Sequence, residues 1–122
     1  PMLYGDEQER KLKLQILSKL QSLGYNLKHH GTHYLAYTIM EVIKFEDPLD
    51  CVLENDIYPI ISKHFNKTIS NIKSSIHKAT EHAYITQKNE IKEFFYFCDN
   101  TKPTTKEIII TMINFLSKSD IM

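Results

Sequence analysis

Six histidines are the side chains of this 122-residue sequence best suited to bind a metal or move a proton. Three of them fall within residues 29–33, but no fourth ligand follows at the spacing of a zinc site. His77, Glu81 and His82 lack the order H-E-x-x-H of zinc proteases, and no nucleophile elbow surrounds a serine. We therefore expect no enzyme: no catalytic residue, no metal, no organic cofactor and no small-molecule substrate.

The two cysteines, Cys51 and Cys98, are not part of a C-x-x-C motif. We interpret them as reduced, mostly buried thiols of a cytoplasmic protein. No apolar run approaches the ~18 residues that a membrane span requires. The acidic N-terminus is unlike a signal peptide. We expect a cytoplasmic protein without a membrane partner.

The charged residues point to a different kind of chemistry. Lys plus Arg and Asp plus Glu both number 15, and a net charge of zero is unusual for a nucleic-acid binder. The charges are unevenly placed, however: residues 41–56 sum to −5, whereas residues 57–80 hold four lysines and no acidic residue and sum to +4. Such a dipole can orient a protein toward a polyanion. A solvated, lysine-rich face is the alternative interpretation.

The predicted elements that must position these charges are helices, because helical periodicity dominates the sequence. Two of them lie in the first part of the chain. Asp6 with Glu9 is typical of the start of a helix, and Gly24 is typical of its end in a left-handed turn. A second helix is predicted after Gly31. The predicted inward-facing residues of the two helices are Leu12, Ile16, Leu20 and Leu23, then Leu35, Ile39, Val42 and Ile43.

Proline and capping signals divide the second half. Asp47-Pro48 predicts another helix start, from which Leu49, Val52 and Leu53 would face inward. Pro59 predicts a break or a new helix start near Tyr58. Further helices are predicted over residues 60–65 and 70–85, around Ile91 with Phe94 and Phe95, and after the capping box that runs from Thr104 to Glu107. We predict an all-α, compact bundle of about six helices, forming a single domain over residues 1–122.

The basic block also fits a helix-turn-helix. The helix over residues 60–65 is followed by Asn66, which tolerates the left-handed conformation, and the next helix would turn Ile72, Ile76, Ala79 and Ala83 inward. The outward residues near its start would then meet base edges in the major groove, while lysines meet phosphates. The base-reading candidates are Ser70, Asn71, Ser74 and His77. The phosphate-contact candidates are Lys63, Lys67, Thr68, Lys73 and Lys78.

Several separated motifs resemble one known family. The run Tyr58–Thr68, followed by Ser70, resembles the helix-turn-helix of the C-terminal effector domain of the sporulation initiation regulator, stage 0 sporulation protein A. Gly31–Leu35 is similar to the family's G-x-x-Y-L motif, and Lys102–Glu107 is similar to its K-P-T-x-x-E motif. The resemblance extends over about residues 10–118 and implies a six-helix bundle. It also implies binding to short promoter boxes as tandem or dimeric copies, without metal, cofactor or catalysis.

Two departures from the family affect the expected function. Family members carry an N-terminal receiver domain, and this sequence contains none. We therefore expect phosphorylation control either to be absent or to lie on a part of the protein outside this sequence. Their recognition helix presents arginines, whereas the matching positions here are Asn71, Ser74 and His77, and Lys73 stands at an acidic family position. We therefore expect a different sequence preference or a more phosphate-driven binding.

The predicted function is sequence-specific binding of double-stranded DNA by a stand-alone transcriptional regulator of a spore-forming bacterium. The alternative is an interaction module of the same fold that modulates a related regulator.

Overall fold

The computed structural model describes residues 7–94 and 102–121, which form helices and, within those ranges, no strand. Five α-helices there have eight or more residues, and a seven-residue helix follows the fourth of them. The helices are α1 (Glu7–Ser22), α2 (His30–Ile43), α3 (Tyr58–Phe65), α4 (Ile69–Thr86), the short α5 (Lys88–Phe94) and α6 (Thr105–Ile121). The all-α prediction is confirmed, and the number of full-length helices differs slightly from the predicted six.

Gly24 ends α1 as predicted. It has φ +103, and its N–H donates to the Gln21 carbonyl at 3.0 Å. The N–H of Tyr25 reaches back to the Leu20 carbonyl, also at 3.0 Å. This pair of bonds is a Schellman motif, which satisfies two carbonyls at the end of the helix. Asp6, the predicted cap at the other end, lies outside the described residues.

The second helix, α2, is the centre of the bundle and contacts α1, α3, α4 and α6. Its buried residues surround its axis, as expected of a helix enclosed on most sides. They include Leu35, Ile39 and Val42 of the predicted stripe, each fully buried. Ile43 is half-buried at the end of the helix.

The segment between α2 and α3 differs from the prediction. Asp47 does act as a cap, since its side chain accepts a hydrogen bond from the Leu49 N–H at 3.0 Å. The turn that follows is a single 3-10 turn, Pro48–Asp50, and a π turn over Leu53–Ile57 comes next. The prediction that Leu49 and Val52 face inward is wrong, because they are 69% and 51% exposed.

The reason for this error is the extended backbone between the two turns. Cys51 and Val52 adopt β conformations, which break the helical period and turn the Cys51 side chain inward instead. Leu53 is half-buried. Burial raises the pKa of the Cys51 thiol. The other cysteine, Cys98, lies outside the described residues.

The start of α6 is the predicted capping box. The Thr104 N–H donates to Glu107 Oε1 at 2.8 Å, and the Glu107 N–H donates to Thr104 Oγ1 at 3.2 Å. The predicted short helix around Ile91 is α5. It ends at Phe94, whose ring lies 5.9 Å from that of Phe115, and Phe95 lies outside the described residues. None of the described helices combines the length and apolar character needed to cross a membrane.

Candidate nucleic-acid interface

A three-residue connection joins α3 to α4. Asn66 adopts the left-handed conformation, with φ 56 and ψ 49, and its N–H donates to the Ser62 carbonyl. The Ser62 hydroxyl in turn donates to the Lys67 carbonyl. Thr68 then caps α4, accepting a hydrogen bond from the Asn71 N–H at 3.0 Å. These local bonds determine where α4 begins, and the left-handed conformation of Asn66 is the one that its residue type predicted.

An aromatic cluster anchors α3 to α2. The Phe65 ring centroid lies 4.8 Å from that of Tyr34 and 5.0 Å from that of Tyr37. His64 also packs on Tyr37, with 5.0 Å between the ring centroids. Aromatic pairs at these separations stabilise beyond their buried area. The helix that precedes the turn is therefore held against the centre of the bundle.

The inner face of α4 is the predicted one, and Ile72, Ile76, Ala79 and Ala83 are all buried. Thr80 is buried on the same side, where its hydroxyl shares a 2.8 Å hydrogen bond with the Tyr25 hydroxyl. Burial raises the pKa of Tyr25 to about 12, although that hydrogen bond lowers it.

Gly31 sets how closely α2 approaches α4. A Cβ atom at this position would lie 1.9 Å from the carbonyl oxygen of Ser75 and 3.1 Å from the Cβ of Ala79. No side chain fits there without moving one helix, since real Cβ contacts stay above 3.0 Å. A glycine within a helix often marks such a close approach. Gly31 and the buried residues of α4 together place the outer face of α4.

The outer face of α4 presents every predicted base-reading candidate to solvent, namely Ser70, Asn71, Ser74 and His77. Ser70, Ser74 and His77 lie together with Ile69 and Lys73 around a shallow, open depression of about 550 Å³. Asn71 does not line this depression, and its backbone N–H is bound by Thr68. The predicted phosphate-contact residues are also exposed, namely Lys63, Lys67, Thr68, Lys73 and Lys78.

Two ion pairs bring charges from other elements to α4. Lys73 Nζ donates to Glu54 Oε2 of the π turn, and Lys102 Nζ donates to Glu81 Oε1. The hydrogen bond from Lys102 and its positive charge hold the pKa of Glu81 below its ordinary value, with a smaller contribution from His77. Glu54 and Lys102 were not predicted as site residues, because nothing in their local sequence indicates which helix they reach.

The histidines near the start of α2 make local contacts. His33 Nε2–H donates to the Leu27 carbonyl at 2.6 Å, and the His29 ring meets the edge of the His82 ring at a centroid separation of 4.9 Å. Across residues 7–94 and 102–121, no three His, Cys, Asp or Glu side chains cluster as a metal site would require.

A capped helix with an exposed polar and basic face, packed on an all-helical core, is typical of helical DNA-binding domains. The family described as "Sporulation initiation factor Spo0A C terminal" matches residues 16–116, and the chain belongs to this family. It is a family of DNA-binding effector domains of response regulators that control transcription in sporulation, and not a family of enzymes. The sequence matches none of the curated proteins.

Proposed function

We propose that this protein binds double-stranded DNA sequence-specifically through a helix-turn-helix formed by α3 and α4, and that it regulates transcription on its own. The observation that carries the proposal is the outer face of α4, where Ser70, Ser74 and His77 surround an open depression beside Lys73. Hydroxyl and imidazole groups can bond to base edges in the major groove. Phosphate contacts supply the larger, sequence-independent share of the affinity.

Selection of genomic fragments by the purified protein, followed by anisotropy titration of the selected duplex at two salt concentrations, tests this proposal. Lys73→Ala and Lys78→Ala should each weaken binding to all duplexes and flatten the salt slope by about one unit. Lys11→Ala, an exposed lysine of α1, is the matched control and should leave the slope unchanged. Absence of salt-dependent binding to any duplex would overturn the proposal.

The base-reading candidates require a different readout. Ser74→Ala and His77→Ala should change which duplex is selected more than they change overall affinity, because each removes a group that can contact a base edge. Unaltered preference in both variants would remove them from the set of base-reading residues. Titration with duplexes that carry one or two copies of the selected box would show whether the protein binds as a homodimer or in tandem.

One observation favours the alternative function, an interaction module that modulates a related regulator. The only arginine of the sequence is Arg10, so α4 lacks the residue that most often contacts guanine. Binding to a related regulator without binding to any duplex would support this alternative.

The stand-alone part of the proposal predicts an endogenous protein close to 14.3 kDa on an immunoblot of cell extract, and a larger product would contradict it.

A further inference from the structure

Glu54 brings a carboxylate to the exposed face of α4 from outside the acid-free residues 57–80. Its Oε2 accepts a hydrogen bond from Lys73 Nζ, and the two side chains are 58% and 45% exposed. The two residues are 19 positions apart in the sequence. The π turn of Leu53–Ile57, packed against α3, places Glu54 there.

The negative charge of Glu54 also affects a second neighbour. The pKa of Tyr58 is raised to about 12, mainly by burial and further by the charge of Glu54. Tyr58 is the first residue of α3 and is itself buried. Glu54 therefore lies where the π turn, the start of α3 and the outer face of α4 meet.

Lys73 belongs to the depression that also contains Ser70, Ser74 and His77. In the proposed function this is the face that meets DNA, so a phosphate and the Glu54 carboxylate would compete for the same ammonium group. Exposed ion pairs are weak, so a phosphate can displace the carboxylate. The displaced carboxylate then remains as a like charge close to the DNA.

We infer that Glu54 sets the affinity of this protein for DNA by competing with a backbone phosphate for Lys73, an inference that rests on the proposed function. The competition reduces affinity for every sequence equally, since a phosphate contact carries no base information. Glu54 is therefore a tuning residue that acts through Lys73 and does not itself bind DNA.

The opposite end of the outer face of α4 has the reverse arrangement. There the acidic residue, Glu81, belongs to α4, and the lysine that pairs with it, Lys102, comes from the segment before α6. The pairing with Lys102 reduces the repulsion between Glu81 and a phosphate. The pairing with Glu54, in contrast, reduces the attraction between Lys73 and a phosphate. The net charge that α4 presents to a polyanion thus depends on residues of two other elements.

The test measures anisotropy against salt concentration for the wild type, Glu54→Gln, Lys73→Ala and the double variant, using the duplex selected above and one unrelated duplex. Glu54→Gln should bind both duplexes roughly two- to five-fold more tightly at about 0.1 M salt, the range expected for an exposed ion pair. Its salt slope should match that of the wild type, because Lys73 contacts a phosphate in both complexes. In the Lys73→Ala background the same substitution should give a smaller gain in affinity, because only the like charge of the carboxylate is then removed.

Glu7→Gln is the matched control, since it removes one exposed carboxylate at the start of α1. Circular dichroism confirms that each variant is folded before titration. Equal affinity of the wild type and Glu54→Gln for both duplexes would overturn the inference and leave the proposed function intact. An equal gain in the Lys73→Ala background would also overturn it, because Glu54 would then act by general repulsion. Absence of duplex binding by both the wild type and Glu54→Gln would overturn the proposed function and the inference together.

Discussion

The substitution Gly31→Ala tests the packing that places α4. The new Cβ would lie 1.9 Å from the Ser75 carbonyl oxygen, and contacts below 3.0 Å are not tolerated. The two helices must therefore separate locally by about 1.1 Å, the difference between those distances. The obstacle is a backbone carbonyl, which cannot rotate away as a flexible side chain would.

The free-energy change combines two opposing effects. Overpacking costs about 1–3 kcal/mol, and alanine restores at most about 1 kcal/mol of helix propensity. We expect the variant to be less stable by about 1–2 kcal/mol, which corresponds to a fall in Tm of roughly 4–8 °C. We also expect weaker binding to the selected duplex, because hydrogen bonds to base edges tolerate little displacement.

Urea unfolding followed by circular dichroism measures the stability, and anisotropy measures binding under conditions where both proteins are folded. His30→Ala is the matched control, since it changes the neighbouring exposed position in the same helical turn. If Gly31→Ala is as stable as the wild type and binds the selected duplex with unchanged affinity, then the close approach of α2 does not determine where α4 lies.

Two further predictions concern buried and capping groups. Thr104→Ala removes one half of the capping box and should lower the free energy of unfolding by about 1 kcal/mol; an unchanged urea midpoint would contradict the role of the cap. The pKa of Tyr25 is raised from 10.0 to about 12. A folded-state pKa above the unfolded value means that the contribution to stability is complete below pH 10 and is lost as the pH rises toward 12. The urea midpoint should therefore fall between pH 9 and pH 11, and it should fall less in Tyr25→Phe; equal falls would show that Tyr25 does not titrate in this way.

Features with a local cause were predictable from the sequence. The inner face of α4 follows from helical periodicity alone, which places Ile72, Ile76 and Ala83 on one side. Gly24 and the Thr104–Glu107 pair have turn and capping signatures that act within a few residues. For these features, the residues that carry the signal are the same ones that make the hydrogen bonds.

Features that depend on the relative placement of elements could not be predicted. The partners Glu54 and Lys73, and likewise Glu81 and Lys102, are 19 and 21 residues apart, and no periodicity relates them. The exposure of Leu49 was missed because the Asp47-Pro48 signal starts a 3-10 turn as readily as a longer helix, and nothing local fixes its length. The sequence predicts a helix start at Gly31, but the residues of α4 that Gly31 approaches lie in a distant segment.

The central position of α2 also affects how the protein unfolds. Since α1, α3, α4 and α6 all contact this helix, each of them loses a large part of its packing contacts if α2 unfolds. Amide protons in the middle of α2 should exchange with solvent only through global unfolding, and those of the segment from Asp47 to Ile57 through smaller openings. The helix that carries the proposed DNA face thus belongs to the same cooperative unit as the rest of the core, so DNA binding and resistance to unfolding are thermodynamically linked.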